Sequence, residues 1–178
     1  MKEIVQKGAK ILRQVAEPVP EELFGSDKLA QLIRDMTEAL DEQPEGVALA
    51  APQIGMSYRL FIVRKDRTVP SYPNASEGKP PPEYTPEVDI YVNPKIMKTS
   101  RKRVRGDEGC LSVRDVYGTT ERHERVTVRA QKPDGSRFTR GSSGLMAQIF
   151  EHEIDHLNGI LFTDTAENLV NIKHEPKT

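Results

Sequence analysis

Residues 143–158 constrain the fold of this chain most, because their pattern predicts an amphipathic helix with two different faces. At about 100° per residue, one broad face carries both polar and apolar side chains, namely Leu145, Gln148, Ile149, His152, Glu153 and His156. The other face is apolar and carries Met146, Phe150, Ile154 and Leu157. Ser142 or Ser143 is a suitable N-cap, and Gly159 is a suitable stop. We therefore expect a helix that packs one face into the core and builds a site with the other.

A second helix and several short strands are predicted elsewhere in the chain. Apolar residues recur at helical spacing after the N-cap residue Ser26, at Leu29, Leu32, Ile33, Met36, Ala39 and Leu40. Strands are expected at residues 59–65, 89–97, 125–130 and 137–139, the last two joined by a turn at residues 133–135. The prolines within residues 66–88 predict a surface loop or flap. We expect one domain that comprises residues 1–178.

The charge pattern argues against nucleic-acid and membrane binding. The 26 basic and 27 acidic residues nearly cancel, and no block of Lys and Arg forms a nucleic-acid motif. The basic residues at 101–105 are expected to solvate a loop. The N-terminal residues lack the apolar core of a signal peptide, and no stretch approaches the roughly 20 apolar residues that span a bilayer. We therefore expect a cytoplasmic protein.

The sequence HEIDH at residues 152–156 indicates a metal site. His152 and His156 lie one helical turn apart, which lets both imidazoles bind the same ion, and Glu153 lies beside them where it could move protons. A solvated helix with two unrelated histidines is the alternative. The apolar residues around the motif argue against that alternative, so metal binding is the favoured interpretation.

A catalytic metal of this kind takes three protein ligands, and the third ligand separates the protein families. The metzincin pattern would require a histidine where this chain has Phe162. A gluzincin-like site would use Glu167 or Glu175, but the short polar segment around them fits poorly. Cys110 offers a thiolate, which suits iron, zinc, cobalt or nickel. As the single cysteine it cannot form an intrachain disulfide, so burial, reactivity and metal ligation are its alternatives.

Three segments of the chain resemble the motifs of the peptide deformylase family, in the family's order. They are GVALAAPQIG at residues 46–55, EGCLS at residues 108–112 and HEIDHLNG at residues 152–159. The first segment alone is weakly specific, whereas the second and third together are strongly specific. The resemblance extends from LRQVAEPV near the N-terminus to ILFTD near residue 164. It implies an α+β fold in which small antiparallel sheets surround a central metal-binding HExxH helix.

The resemblance also implies a function for these residues. Cys110, His152 and His156 would hold one divalent metal ion, with Fe(II) favoured and zinc, nickel or cobalt as alternatives. Water would be the fourth ligand and, activated by the metal, the nucleophile. The reaction implied is removal of the N-terminal formyl group from formylmethionyl nascent peptides, which makes the peptide the main partner and the translating ribosome a further candidate partner.

Further residues receive roles from the same resemblance. The side chain of Gln53 and the backbone N–H of Leu111 would donate hydrogen bonds to the developing oxyanion, while Glu153 would carry the proton from the water to the departing amine. The peptide would add as a strand beside one segment at Val47 and Ala48 and another at Gly109. Its methionine side chain would enter a pocket to which the helix contributes Leu145, Gln148 and Ile149.

Several positions depart from the family pattern or remain open. The departures are Ala48 for glycine, Arg114 for proline, Glu151 for glutamine, and Gln148 where the family is usually apolar. These affect the expected rate and substrate preference, and Gln148 could make the side-chain pocket more polar. Arg122 is expected to pair with Asp155 or Glu108. His123 and His174 are interpreted as surface residues.

Two alternative functions remain. A related metal amidase could use the same scaffold on a different acyl group or side chain, and a module that only binds metal or peptide is possible in principle. Retention of Glu153 and Gln53 argues against the second alternative. Only substrate assays distinguish the first alternative from removal of a formyl group.

Overall fold

The computed structural model of the protein describes residues 2–68 and 87–172. Within these ranges the two α-helices are α1, Asp27–Asp41, and α2, Leu145–Leu157. The strands are β1 Ala48–Ala50, β2 Leu60–Arg64, β3 Val88–Thr99, β4 Arg103–Cys110, β5 Val113–His123, β6 Arg125–Gln131, β7 Arg137–Ser143 and β8 Glu167–Asn171. No helix in the described part of the chain is long and apolar enough to cross a membrane.

The strands form two antiparallel sheets. The larger sheet has the order β1-β2-β3-β6-β7, and the smaller sheet has the order β4-β5-β8. Helix α2 packs against strands of both sheets. The α+β fold with small antiparallel sheets around the HEIDH helix is therefore confirmed.

The larger sheet is covered on both faces, which explains why strand β2 is buried along its whole length. Phe61 and Val63 face α2, and Phe61 stacks on Tyr91 with 4.7 Å between the ring centroids. Leu60 and Ile62 point to the opposite face and pack against α1. Because side chains alternate along a strand, the continuous apolar sequence of β2 serves two cores at once.

Helix α1 begins as the sequence predicts. The side chain of Ser26 accepts a hydrogen bond from the backbone N–H of Leu29 at 3.2 Å, which satisfies one of the free donors of the first turn. Leu29, Met36 and Leu40 are buried against the sheet. The predicted amphipathic helix is thereby confirmed.

The start of α2 differs from the prediction. Ser142 and Ser143 belong to β7, and Gly144, with a φ of 60°, is the residue that precedes the helix. The Ser142 hydroxyl donates to the carbonyl of Val126 at 2.8 Å, so it contributes to sheet pairing and does not cap the helix. Gly159, with a φ of 74°, follows the end of the helix, as expected of a glycine stop.

The predicted strands are present as β2, β3, β6 and β7, with longer bounds for all but β2, whereas the three-residue β1 and the strands β4, β5 and β8 were missed. Much of the smaller sheet is exposed. Strands β4, β5 and β8 are therefore rich in polar residues and contain no apolar run that would identify them as strands. The loop prediction for the basic cluster at residues 101–105 is wrong for Arg103 and Arg105, which belong to β4, whereas Arg101 and Lys102 precede that strand. Most of the predicted flap, residues 69–86, lies outside the described residues, as do His174 and Glu175.

Candidate active site

A cavity of about 410 Å³ lies between the two sheets and α2. Eleven of the twelve residues predicted to form the site line it: Val47, Ala48, Gln53, Gly109, Cys110, Leu111, Leu145, Gln148, Ile149, His152 and Glu153. The twelfth, His156, is buried next to Cys110, with its Nε2 atom 3.3 Å from the Cys110 Sγ atom. The structure therefore brings together residues that are widely separated in sequence.

Three potential metal donors converge at one side of this cavity. One donor atom each from Cys110, His152 and His156 lies within 4.8 Å of the others. The histidines are neighbours because they are four residues apart on α2, and Cys110 reaches them because it ends β4. One thiolate and two imidazoles form a donor set that suits a divalent transition metal. The residues present thus fit such an ion.

Glu108 orients the ring of His152 through a hydrogen bond. Its Oε1 atom is hydrogen-bonded to His152 Nδ1, which leaves the Nε2 atom of the ring for the donor cluster. Burial favours the neutral form of Glu108, but hydrogen bonds with His152 and Arg122 outweigh burial and hold the pKa of this carboxyl well below its usual range. Burial also lowers the pKa of His152, yet its hydrogen bonds with Cys110 and Glu108 raise that pKa overall.

Arg122 joins Glu108 to the metal-site helix. Its guanidinium donates to Glu108 at 2.6 and 3.1 Å and to Asp155 at 2.7 Å. The expected pairing with one or the other carboxylate is therefore confirmed for both. The hydroxyl of Thr120 also donates to Glu108, at 2.6 Å. This network fixes the end of β4 against α2.

Glu153 is the other buried carboxylate of the site, and its environment is different. Its side chain is buried, and its Oε2 atom has no hydrogen-bond partner among the described residues. Burial raises the pKa of Glu153 to about 7. A carboxyl group that titrates near neutral pH can both accept and return a proton. Burial has the opposite effect on His156. It disfavours the charged imidazolium and lowers the pKa of His156 well below the usual value.

Gln53 lies in the 3-10 turn Ala51–Ile54 that follows β1. Its side-chain carbonyl accepts a hydrogen bond from the Ala50 N–H at 2.9 Å, and its amide nitrogen donates to the Ser112 hydroxyl at 3.1 Å. The same nitrogen is 3.7 Å from Cys110 Sγ. Gln53 therefore ties the loop together and also directs its donor towards Cys110.

Leu111 and Ser112 form the turn between β4 and β5. The Gln6 side chain donates to the Leu111 carbonyl at 2.9 Å, which fixes the Leu111–Ser112 peptide, next to the peptide that carries the Leu111 N–H. Ser112 is fully buried and was missed as a site residue, although it belongs to the EGCLS motif. Its position in that motif was the only signal available from the sequence.

The cavity lies between the outer strands of the two sheets. Among the described residues, β1 pairs only with β2, and β4 pairs only with β5. Gly109 in β4 has no room for a side chain, because an added Cβ atom would lie 2.8 Å from the ring of Tyr117. An extended segment could therefore approach either strand edge through its backbone.

Helix α2 provides the remaining wall. Ile149 is buried, while Leu145 is exposed at the mouth of the cavity. The amide nitrogen of Gln148 donates to the Asp107 carbonyl at 3.0 Å and to Glu108 Oε2 at 3.2 Å. A more polar pocket caused by Gln148 stays a prediction, since these two bonds already use its nitrogen.

His123 is not the surface residue that the sequence suggested. Its side chain is 20% exposed, its backbone N–H donates to Glu151 Oε2 at 2.8 Å, and its Nδ1 atom is 3.5 Å from Glu151 Oε1. Sequence reasoning missed this pair because the two residues are 28 positions apart and only the packing of β5 on α2 joins them.

Comparison with known proteins agrees with this geometry. The model of the polypeptide deformylase family matches residues 1–171. A peptide deformylase of Halalkalibacterium halodurans is 39% identical, over 96% of this chain and 92% of the relative. One of Symbiobacterium thermophilum is 38% identical, over 94% of this chain and 67% of the relative.

Solved structures give the same result. The actinonin-bound class I type b peptide deformylase from Acinetobacter baumannii superposes with a TM-score of 0.78 and 34% identity, over 94% of this chain and 99% of that one. The Met-Ala-Ser complex of that enzyme superposes with a TM-score of 0.77 and 35% identity, over 92% and 98% of the two chains. With the family match over nearly its whole length, this chain belongs to the polypeptide deformylase family.

Proposed function

We propose that this protein is a metal-dependent hydrolase, with residues 1–178 as one catalytic domain, that removes the formyl group from the N-terminal methionine of new polypeptides. The observation that carries this proposal is the meeting of Cys110, His152 and His156 beside the buried Glu153, in a cavity between two strand edges. The similar enzyme from Acinetobacter baumannii has been solved with Met-Ala-Ser, a peptide of the expected product class.

Cys110, His152 and His156 are the proposed ligands of one divalent ion. Fe(II) is the favoured ion, and the same donors would accept zinc, nickel or cobalt. When bound, the ion supplies Lewis acidity, which lowers the pKa of a water molecule. Glu108 supports this role by holding the His152 ring in one orientation. Metal analysis of protein purified without oxygen, compared with Cys110→Ala, tests both the ligands and the identity of the ion.

Glu153 is the proposed proton carrier. Its carboxylate takes a proton from the attacking water and gives a proton to the amine nitrogen as the C–N bond breaks, which leaves formate and a free N-terminus. Three observations support this role: its burial, its pKa of about 7, and an Oε2 atom without a hydrogen-bond partner in the described part of the chain.

Gln53 and the Leu111 N–H are the proposed donors to the negative charge that develops on the formyl oxygen. Donors already held in place require no reorganisation during the reaction, which is why they stabilise a transition state effectively. Gln53 accepts a hydrogen bond from the Ala50 N–H and donates one to Ser112, and Gln6 donates one to the Leu111 carbonyl. These bonds supply that rigidity.

The peptide backbone is proposed to bind between the edges of β1 and β4, beside Val47, Ala48 and Gly109. Main-chain hydrogen bonds of this kind do not depend on the peptide's side chains, so many nascent sequences would be accepted. The methionine side chain would enter the cavity beside Leu145, Gln148 and Ile149, which line it. A cytoplasmic location and an encounter with the translating ribosome would follow from this substrate.

The deciding experiment is formate release from formyl-Met-Ala by anaerobically purified, iron-loaded protein. Acetyl-Met-Ala and formyl-Gln-Ala serve as comparison substrates for the acyl group and the side chain. Formyl-Met-Ala should be hydrolysed fastest. A preference for either comparison substrate would favour the related-amidase alternative, and peptide binding without any hydrolysis would favour a binding module.

A further inference from the structure

A second, smaller cavity adjoins the main one. It has a volume of about 100 Å³ and lies between β4, β5 and the beginning of α2, where Gly106, Arg122 and Gly144 are among its lining residues. Gln148 also lines it, and among the described residues Gln148 is the one shared by both cavities. The side chain of Gln148 therefore borders both spaces.

The side chain of Gln148 is held in this position at its far end. Its amide nitrogen donates to the carbonyl of Asp107 and to Glu108, and Glu108 is itself fixed by Thr120 and Arg122. A glutamine in such a place cannot rotate away without losing both hydrogen bonds. The wall is consequently an ordered part of the network that also orients His152.

The space beyond the amide is open on the β4 side. A Cβ atom added to Gly106 would have one neighbour within 4 Å among the described residues, the Gln148 amide nitrogen at 3.9 Å. The absence of a side chain at residue 106 thus leaves room next to the Gln148 amide.

From these contacts we infer that Gln148 is a specificity-determining residue that closes the inner end of the side-chain pocket and so sets the longest first residue that the enzyme accepts. The inference rests on the proposed function, because it requires that the first side chain of the peptide enters the main cavity beside α2. An aliphatic residue at this position could not form the two hydrogen bonds that hold the wall closed.

The test uses formylated dipeptides whose first side chain is an unbranched butyl, hexyl or octyl group. In the wild type, kcat/KM should be highest for butyl, which is close to methionine in length, and should fall for the longer chains. In Gln148→Ala, kcat/KM should no longer fall for the longer chains, because the added methylenes enter the second cavity. Each newly buried methylene is expected to contribute about fourfold, so the hexyl-to-butyl ratio should rise by about fifteenfold over the wild type.

Two further variants separate the wall from simple damage to the site. Gln148→Met keeps nearly the same volume but lacks the two hydrogen bonds, so it should relax the length limit less than Gln148→Ala does. Gln148→Ala combined with Gly106→Val refills the space from β4 and should return the ratio towards the wild-type value. Thermal unfolding and metal content are measured for every variant, and Gln148→Ser replaces Gln148→Ala if the latter does not fold.

Binding of the corresponding unformylated dipeptides, measured by calorimetry, distinguishes this inference from the proposed reaction. If the wild type releases no formate but its binding shows the same length limit, shifted by Gln148→Ala, the proposed reaction is wrong and the inference stands. An unchanged length profile in both turnover and binding, in a folded and metal-loaded Gln148→Ala protein, would overturn the inference.

Discussion

At the residue scale, the two buried carboxylates of the site have opposite protonation behaviour. Glu108 is surrounded by hydrogen-bond donors, which keep its pKa low and the group ionised. Glu153 is also buried, but its Oε2 atom has no donor among residues 2–68 and 87–172, so burial dominates and the pKa of Glu153 rises to about 7. Divergent pKa values of neighbouring carboxylates separate a structural role from a proton-transfer role. Glu108 therefore suits the holding of His152, a proposed ligand, whereas Glu153 suits the proposed transfer of protons.

Glu153→Gln should keep the fold and the metal but lose most turnover, because glutamine preserves size while removing the ability to exchange a proton. General acid and base groups contribute about 100- to 10,000-fold, and the loss of kcat on formyl-Met-Ala should lie in that range. Metal content is measured on the same preparation. Near-wild-type turnover with full metal would mean that another group moves the proton.

Cys110→Ala should lose metal affinity, since the thiolate is the proposed third ligand. Glu167→Gln is the matched control, because Glu167 was the alternative ligand and instead pairs with Arg105 on the exposed surface, at 2.6 Å. Equilibrium dialysis against a divalent metal measures both variants. Loss of metal in Glu167→Gln with retention in Cys110→Ala would reverse the assignment.

At the element scale, the end of α2 depends on a glycine that contacts the N-terminal segment, residues 5–13. Gly159 has a positive φ, and an added Cβ would lie 2.6 Å from the Arg13 carbonyl oxygen. Gly159→Ala should therefore lower the free energy of unfolding by more than the about 1–2 kcal/mol that a left-handed alanine costs alone. Gly55→Ala is the control, because Gly55 also has a positive φ but nothing within 4 Å of an added Cβ. Urea unfolding of both variants measures the difference, and equal losses would contradict the steric argument.

At the scale of the whole molecule, the N-terminal segment connects the two sheets at the site. The Val5 N–H donates to the Gln53 carbonyl, the Lys7 N–H donates to the Ser112 carbonyl, and Gln6 holds the Leu111 carbonyl. The two proposed oxyanion donors thus lie in turns that follow strands of different sheets, β1 and β4, and a third segment holds these turns together.

Gln6→Ala should lower kcat with little change in KM, because the bond to Leu111 positions a donor that acts in the transition state. A hydrogen bond contributes about 1 kcal/mol net, which corresponds to about fivefold in rate. Steady-state kinetics on formyl-Met-Ala measure the effect, with Gln31→Ala as the control, since Gln31 lies on the exposed face of α1. An equal loss in both variants would point to a general loss of stability.

The same segment is joined to the C-terminal part of the chain by an ion pair whose effect depends on pH. A hydrogen bond with Arg13 lowers the pKa of Asp164 below its ordinary value. A lowered folded-state pKa contributes stability above the unfolded pKa, and this contribution is lost as the pH falls through the folded value. Arg13→Gln should therefore unfold at a lower temperature than the wild type at pH 7, with a small difference because the pair is partly exposed. The difference should vanish in acid, and a constant difference would exclude this origin.

Sequence alone determined the elements whose signals are local. The cap of α1, the apolar run of β2 and the two histidines of HEIDH each depend on residues that are close in the chain, so spacing and residue type were sufficient. The resemblance then supplied Cys110 and Gln53, which spacing alone left ambiguous. The order of the family's motifs thus indicated contacts that no local sequence pattern shows.

Only the tertiary structure decided how these pieces meet. The strands of the smaller sheet carry no apolar run because much of that sheet is exposed, and the pairing of β5 with β8 became visible only when distant segments were side by side. The same holds for Glu108, which binds His152, Arg122 and Gln148 at once, and for the His123–Glu151 pair. Side-chain networks of this kind depend on distances between atoms far apart in sequence. A one-dimensional pattern contains no such distances, and the fold supplies them.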